Sequence, residues 1–108
     1  MRRGEISTGR EAGSVTSEAR PCLIVQSQNA LPPGMFVTVC PLTTHLRGLG
    51  QIRIVIVPTP ENGLERTSEV EVDLVTTIQT ANIGRLLGTA DPWTMRKVDE
   101  ALRLWLAV

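Results

Sequence analysis

The 108-residue chain contains no tyrosine, one phenylalanine and two tryptophans. Single-stranded nucleic acids are commonly held by stacking bases on aromatic rings, so a generic stacking groove is poorly supplied here. Trp93 and Trp105 fall in a C-terminal amphipathic segment and read as packing or interface residues. Cysteine is as scarce. Cys22 and Cys40 alone provide no disulfide framework, and a cytoplasmic setting is expected. Both lie in short apolar runs, which reads as burial of small hydrophobic side chains. No apolar run approaches the roughly 20 residues of a membrane-spanning helix. The opening Met1-Arg2-Arg3-Gly4-Glu5 lacks the apolar stretch of a secretory signal. With His45 the only histidine, an acid–base pair of two histidines within one chain is excluded. Metal ligation is also thinly supplied. Glu71 and Asp73 form the close carboxylate pair on a strand, and no His or Cys near them completes a ligand set. No metal or cofactor is therefore expected.

Charge of one sign is missing as well. Eleven basic residues match eleven acidic ones, which argues against coating nucleic acid by bulk charge. The balance is uneven along the chain, however. Residues 1–60 carry six basic and three acidic residues, and residues 61–108 carry five and eight. A neutral chain can thus still present a basic face. Ten of the eleven basic residues are Arg, whose planar fork suits phosphate and carboxylate.

What the chain has in abundance is branched side chains. Val, Ile and Thr make up 30 of the 108 residues, which favours pleated strands. Pro21–Val25 is a short apolar run that predicts a buried strand, and Met35–Cys40 predicts a second. Between them, residues 28–34 with Pro32-Pro33-Gly34 read as a turn. Gln51–Val57 alternates, with Ile52, Ile54 and Ile56 on one face and Arg53, Val55 and Val57 on the other. Pro58–Arg66, with Asn62-Gly63, predicts a further turn. Glu69–Val75 alternates again, with Val70, Val72 and Leu74 on one face and Glu69, Glu71 and Asp73 on the other. Residues 7–19 are small and polar and predict a long mobile loop, and residues 41–50 predict a loop carrying Thr43, Thr44 and His45. At the C-terminus, Asp91-Pro92 predicts a helix start. Met95, Val98, Leu102 and Trp105-Leu106 then recur at helical spacing. The expected fold is one domain over residues 1–108: mainly β, a small antiparallel barrel-like sheet followed by one amphipathic C-terminal α-helix that packs on it.

Several short motifs occur in a telling order. Arg3-Gly4-Glu5-Ile6 is followed by Gly9-Arg10-Glu11, then by Arg20-Pro21-Cys22-Leu23-Ile24-Val25. Val39-Cys40-Pro41-Leu42-Thr43-Thr44 comes next, then Asn62-Gly63-Leu64, Ser68-x-Val70-x-Val72-Asp73 and Thr77-Ile78. In this order and spacing the chain resembles the MazF/PemK family of toxins from type II toxin–antitoxin modules. The resemblance implies the SH3-like fold, a homodimer and an acidic antitoxin as partner. It also implies metal-independent, sequence-preferring cleavage of single-stranded RNA, leaving 2′,3′-cyclic phosphate and 5′-hydroxyl ends. The same fold is shared with the CcdB group, so a non-enzymatic gyrase inhibitor, or an inactive member that only binds antitoxin, stands as the alternative.

Cleavage by the 2′-hydroxyl of RNA needs a base, an acid for the leaving oxygen, and donors for the crowded phosphorane. Arg20 is the candidate phosphate cation and Thr43 a candidate hydroxyl donor, with Thr44 and His45 beside it as substrate-binding candidates. Asp73 matches the family's acidic strand residue and is a candidate base or reader of a nucleobase edge. Glu71, on the same face, stands where some members carry Arg, and is a further substrate-binding candidate. Arg10 matches a loop cation of some relatives. Ser7-Thr8-Gly9 follows Ile6 at once, so the first strand is expected to be shorter than the family's usual one.

Overall fold

The computed structural model describes residues 1–10 and 19–108. Among the described residues seven strands form one antiparallel sheet: β1 (Glu5–Gly9), β2 (Arg20–Ile24), β3 (Phe36–Thr43), β4 (Arg53–Ile56), β5 (Ser68–Glu71), β6 (Thr76–Gln79) and β7 (Ile83–Thr89). A single helix, α1 (Pro92–Leu106), follows. The strand order is β4-β5-β3-β2-β1-β7, with β6 pairing on β3 beside β5. The long β3 shares one of its edges. Phe36–Val39 pair with β6, while Leu42 and Thr43 pair with β5. This fork bends the sheet, but β4 and β7 remain as separate edges. The architecture is thus a strongly bent open sheet rather than a closed barrel.

Sheet registers sort the side chains into two faces. Ile6 pairs with Leu23 and Leu23 with Cys40, and this row buries toward the helix. There Leu42, Val70 and Val72 meet Val98 and Ala101 of α1. Ser7 pairs with Cys22 and Cys22 with Pro41, and this row points the other way. Cys22, Ile24, Val37, Val39 and Ile78 form a smaller apolar cluster on that face. Both cysteines are free and buried, and burial pushes the Cys22 thiol up to about 11 and the Cys40 thiol up to about 12. They remain unreactive thiols at neutral pH, in keeping with small apolar packing.

The helix begins as its sequence dictates. Asp91 accepts a hydrogen bond from the Thr94 N–H at 2.7 Å, and Pro92 occupies the first turn. Thr94, Val98 and Ala101 form its buried stripe. Trp93 is 61% exposed and Trp105 48%, so within this chain neither packs into the core. Arg96 and Lys97 instead lie over the Trp93 ring, 5.5 and 4.8 Å from its centroid. Arg3 ties the N-terminus to the helix through a 2.7 Å ion pair with Asp99. Among the described residues no helix is long and apolar enough to cross a membrane.

Four sequence expectations need correction. Ser7–Gly9 are not loop. They complete β1, which is hydrogen-bonded to β2 on one side and β7 on the other. The remainder of that expected loop, residues 11–18, lies outside the described residues. Pro41–Thr43 extend β3 instead of opening a loop, because pairing on both β2 and β5 holds them extended. The strand predicted over Glu69–Val75 ends at Glu71, and Val72–Leu74 form a 3-10 turn that leaves Leu74 half exposed. Arg53, grouped by alternation with Val55 and Val57, is buried while both valines are exposed.

Candidate active site

The face opposite the helix carries most of the polar candidates. Arg20 opens β2, paired with Gly9 of β1. Two residues before Cys22 and two after its partner Pro41, Arg20 and Thr43 fall on the same face of the sheet by the alternation of strands. Thr43 pairs in turn with Glu69, and Glu71 with Arg53. Four adjoining strands therefore bring Arg20, Thr43, Glu69, Glu71 and Arg53 onto one face.

Arg53 is the centre of this face. Its side chain is only 3% exposed, yet three carboxylates surround it. Its Nε donates to Asp73 Oδ1 at 2.7 Å and its Nη2 to Asp73 Oδ2 at 3.2 Å, a two-pronged pair. Its Nη1 donates to Glu69 Oε1 at 3.2 Å, and Glu71 Oε2 lies 3.4 Å from Nη2. Only guanidinium presents enough fixed donors to serve three acids at once.

The three carboxylates are not equivalent. Hydrogen bonds from Arg53 hold the Asp73 carboxyl below its ordinary range, against partial burial. Burial alone would raise Glu69, but N–H groups of Gly48 and Arg47, together with Arg53, bring it below its ordinary value. Glu71 goes the other way. Its burial outweighs the attraction of Arg53 and Arg20, and the Asp73 charge adds to the effect, so its carboxyl is raised. One cation cannot neutralise three anions. The one with the fewest hydrogen bonds is the one that holds its proton more readily.

Arg20, Thr44 and His45 are exposed and Thr43 is half-buried. Thr43 Oγ1 accepts the His45 N–H at 3.1 Å, an ST turn that leaves the hydroxyl proton free to donate. Arg10 is exposed at the end of β1, its N–H bonded to the Asn82 carbonyl. Asp73 belongs to the same cluster, but both of its oxygens are engaged by Arg53. Sequence reasoning missed Arg53 and Glu69. An Arg inside an apolar strand and three acids at alternate positions did signal an internal charge pairing, but only the β4–β5 register shows which partners meet. A groove of about 530 Å³ between β4 and α1 is lined by Arg53, Val55, Trp93 and Lys97; Arg53 thus borders it, while none of Arg20, Thr43 or Glu71 does.

Comparison with known proteins gives a consistent picture. The family model for PemK-like, MazF-like toxins of type II toxin–antitoxin systems matches residues 2–106. A probable endoribonuclease MazF of Mycolicibacterium smegmatis is 35% identical over 108 residues, covering all of this chain and 98% of that protein. Among solved structures, the Mycobacterium tuberculosis toxin MazF-mt6 is 28% identical at a TM-score of 0.81, covering 96% of this chain and 97% of that one. An endoribonuclease from a mycobacterial species in complex with its cognate antitoxin is 26% identical at a TM-score of 0.82, covering 100% and 96%.

The split among the carboxylates fixes the sign of two substitutions. Asp73 is depressed, so its contribution to stability is present above the unfolded carboxyl value, about pH 4, and is lost as pH falls through its folded value. Asp73→Asn should cost roughly 1.5–3 kcal/mol at pH 7, with the gap closing in acid. Glu71 is raised, so ionising it in the fold opposes stability as pH climbs above about 4.3. Glu71→Gln should therefore melt at or above the wild-type temperature at pH 7 and converge with wild type below pH 4. Thermal melts of both variants across this range check the signs. A Glu71→Gln loss at pH 7 as large as that of Asp73→Asn contradicts the assignment.

Proposed function

The chain belongs to the PemK-like, MazF-like toxins of type II toxin–antitoxin systems, and from that membership and the site's geometry we propose that it is an endoribonuclease cleaving single-stranded RNA without a metal. The carrying observation is that one sheet face holds an exposed Arg20, the half-buried Thr43 and Glu71, whose carboxyl is raised by burial. The relatives, endoribonucleases among them, support the reaction class.

In this reading Glu71 takes the proton from the 2′-hydroxyl, which then attacks the adjacent phosphorus. A raised carboxyl value brings a general base closer to working pH. Arg20 and Thr43 donate to the phosphorane oxygens, where charge grows most in the transition state. His45, next to this donor pair, gives a proton to the leaving 5′-oxygen. The bond to that oxygen breaks, leaving a 2′,3′-cyclic phosphate and a 5′-hydroxyl. Asp73 is assigned to holding Arg53 rather than to proton transfer, because its oxygens are already bonded. Arg10 and Thr44 are assigned to contacts with the backbone phosphates.

The same reading includes a homodimer and an acidic antitoxin. Exposed Val55, Val57, Trp93, Leu104 and Leu106 are apolar surface that a second copy would cover. The basic excess of residues 1–60 suits an acidic, disordered antitoxin tail. Sedimentation at micromolar concentration should give two chain masses, and antitoxin affinity should fall as salt rises. A single chain mass sinks the dimer, and a salt-independent affinity sinks the electrostatic contribution.

The activity is tested by incubating the pure chain with long RNA in EDTA and mapping the new ends. Cuts bearing 5′-hydroxyls are expected. Arg20→Ala should slow single-turnover cleavage roughly 10²–10³-fold while melting normally. Arg20→Lys should recover part of the rate, since the charge remains and the fork is lost. An Arg20→Ala chain that melts normally and cuts at the wild-type rate removes Arg20 from the site. No cuts, together with inhibited gyrase supercoiling, would establish the gyrase alternative.

A further inference from the structure

A nearly inaccessible carboxylate lies directly beneath the proposed phosphate-binding turn. Glu69 is 1% exposed, and burying an ionised carboxylate is costly unless its oxygens are bonded. They are bonded to the loop that leaves Thr43. Glu69 Oε1 accepts the Arg47 N–H at 3.0 Å, and Oε2 accepts the Gly48 N–H at 2.9 Å. Gly48 has a φ of +63°, left-handed backbone that glycine adopts without strain, and this brings its N–H onto the carboxylate. Arg53 Nη1 holds Oε1 from the other side. The start of the loop is pinned separately, by the His45 N–H on the Thr43 hydroxyl oxygen. Residues 43–48 are thus fixed at both ends, and the residue that fixes the far end is the sheet partner of Thr43.

We propose that Glu69, braced by Arg53, is a positioning residue. Its carboxylate clamps the 44–48 turn, and so keeps His45 in place against Thr43 and the Thr43 hydroxyl oriented toward the substrate phosphate. The proposal rests on the endoribonuclease reading, in which Thr43 touches the phosphate. Glu69 itself touches no substrate, being sealed beneath the turn. A well-packed apolar pair of similar volume is often as stable as a buried ion pair. What an apolar pair cannot do is capture two successive backbone N–H groups. Misplacing a reactive group by about 1 Å can cost roughly 10²-fold in rate. A loosened turn should therefore lower the rate of chemistry much more than it weakens RNA binding.

Glu69→Gln tests this, because it keeps the shape but turns an NH₂ group toward a backbone donor. Three readouts are taken on the full chain: amide exchange at Arg47 and Gly48, cleavage of a mapped RNA, and a double-variant cycle with Thr43→Val. The expected result is exchange at both amides at least about tenfold faster and kcat lowered about 10- to 100-fold, with KM within about threefold. In the cycle, adding Glu69→Gln to Thr43→Val should cost little more, because the two act as a unit. If Glu69→Gln is unfolded at the assay temperature, Glu69→Asp, shorter by one methylene, replaces it under the same criteria. Unchanged amide exchange, unchanged kcat, or losses that multiply in the double variant would each overturn the proposal. A wild-type chain that cuts no RNA overturns the endoribonuclease reading and the positioning role together. Amide exchange separates that case from failure of the clamp alone.

Discussion

Burying the Arg53 guanidinium among three carboxylates is the constraint from which the polar face of this sheet follows. With the side chain 3% exposed, its charge needs partners, and among the described residues strand β5 and the turn after it supply them. The β4–β5 register is thereby fixed by electrostatics as well as by apolar pairing, since slipping one residue would move every side chain to the opposite face. Asp73 takes two donors, Glu69 one, and Glu71 stands at the longest distance, 3.4 Å. Burial raises the Glu71 carboxyl while that inequality leaves it the weakest hold on Arg53, so three chemically similar groups divide into two anchored anions and one that holds a proton more easily.

The division has a functional consequence because of where each carboxylate sits. Glu69 lies opposite Thr43 and grips the following turn through two backbone N–H groups. Glu71 lies within the field of Arg20, which acts to keep it ionised, while burial acts to keep it protonated. A base poised between those influences and a cation facing solvent two strands away are the two parts that a phosphate-centred reaction requires. The helix side of the sheet contributes none of this chemistry. Its apolar row, from Ile6 through Leu23 to Cys40, anchors the strands on Val98 and Ala101 so that the opposite face can carry charge.

Much of this was legible in the residues, and the failures share a cause. Apolar runs located β2 and the first part of β3, and the Asp91 cap with its following Pro92 located the helix. β6 and β7 escaped notice. Thr76–Gln79 contributes one buried residue, and Ile83–Thr89 carries two glycines and no alternation. Their extended state is imposed by the strands they pair with. Period-two alternation put Glu71 and Asp73 together, and the cluster around Arg53 does unite them. It misjudged Glu69 and Arg53, which look like solvent-facing charges one strand at a time. Burial of a charge is decided by its cross-strand partner, and a single sequence does not display register. The family resemblance put Arg20 and Thr43 in one site, and the β2–β3 register sets both on the same face of the sheet.

The central claim is electrostatic: one guanidinium sets three carboxylates apart, and the one left easiest to protonate lies within reach of Arg20. Carbon-13 titration of the side-chain carboxyls of Glu69, Glu71 and Asp73, in the wild-type chain and in Arg20→Ala, tests it most directly. The account predicts Glu71 titrating above the ordinary glutamate value and Asp73 and Glu69 below theirs. It also predicts a further rise at Glu71 alone when Arg20 is removed. Asp73 titrating highest of the three, or a Glu71 value indifferent to Arg20, would contradict it.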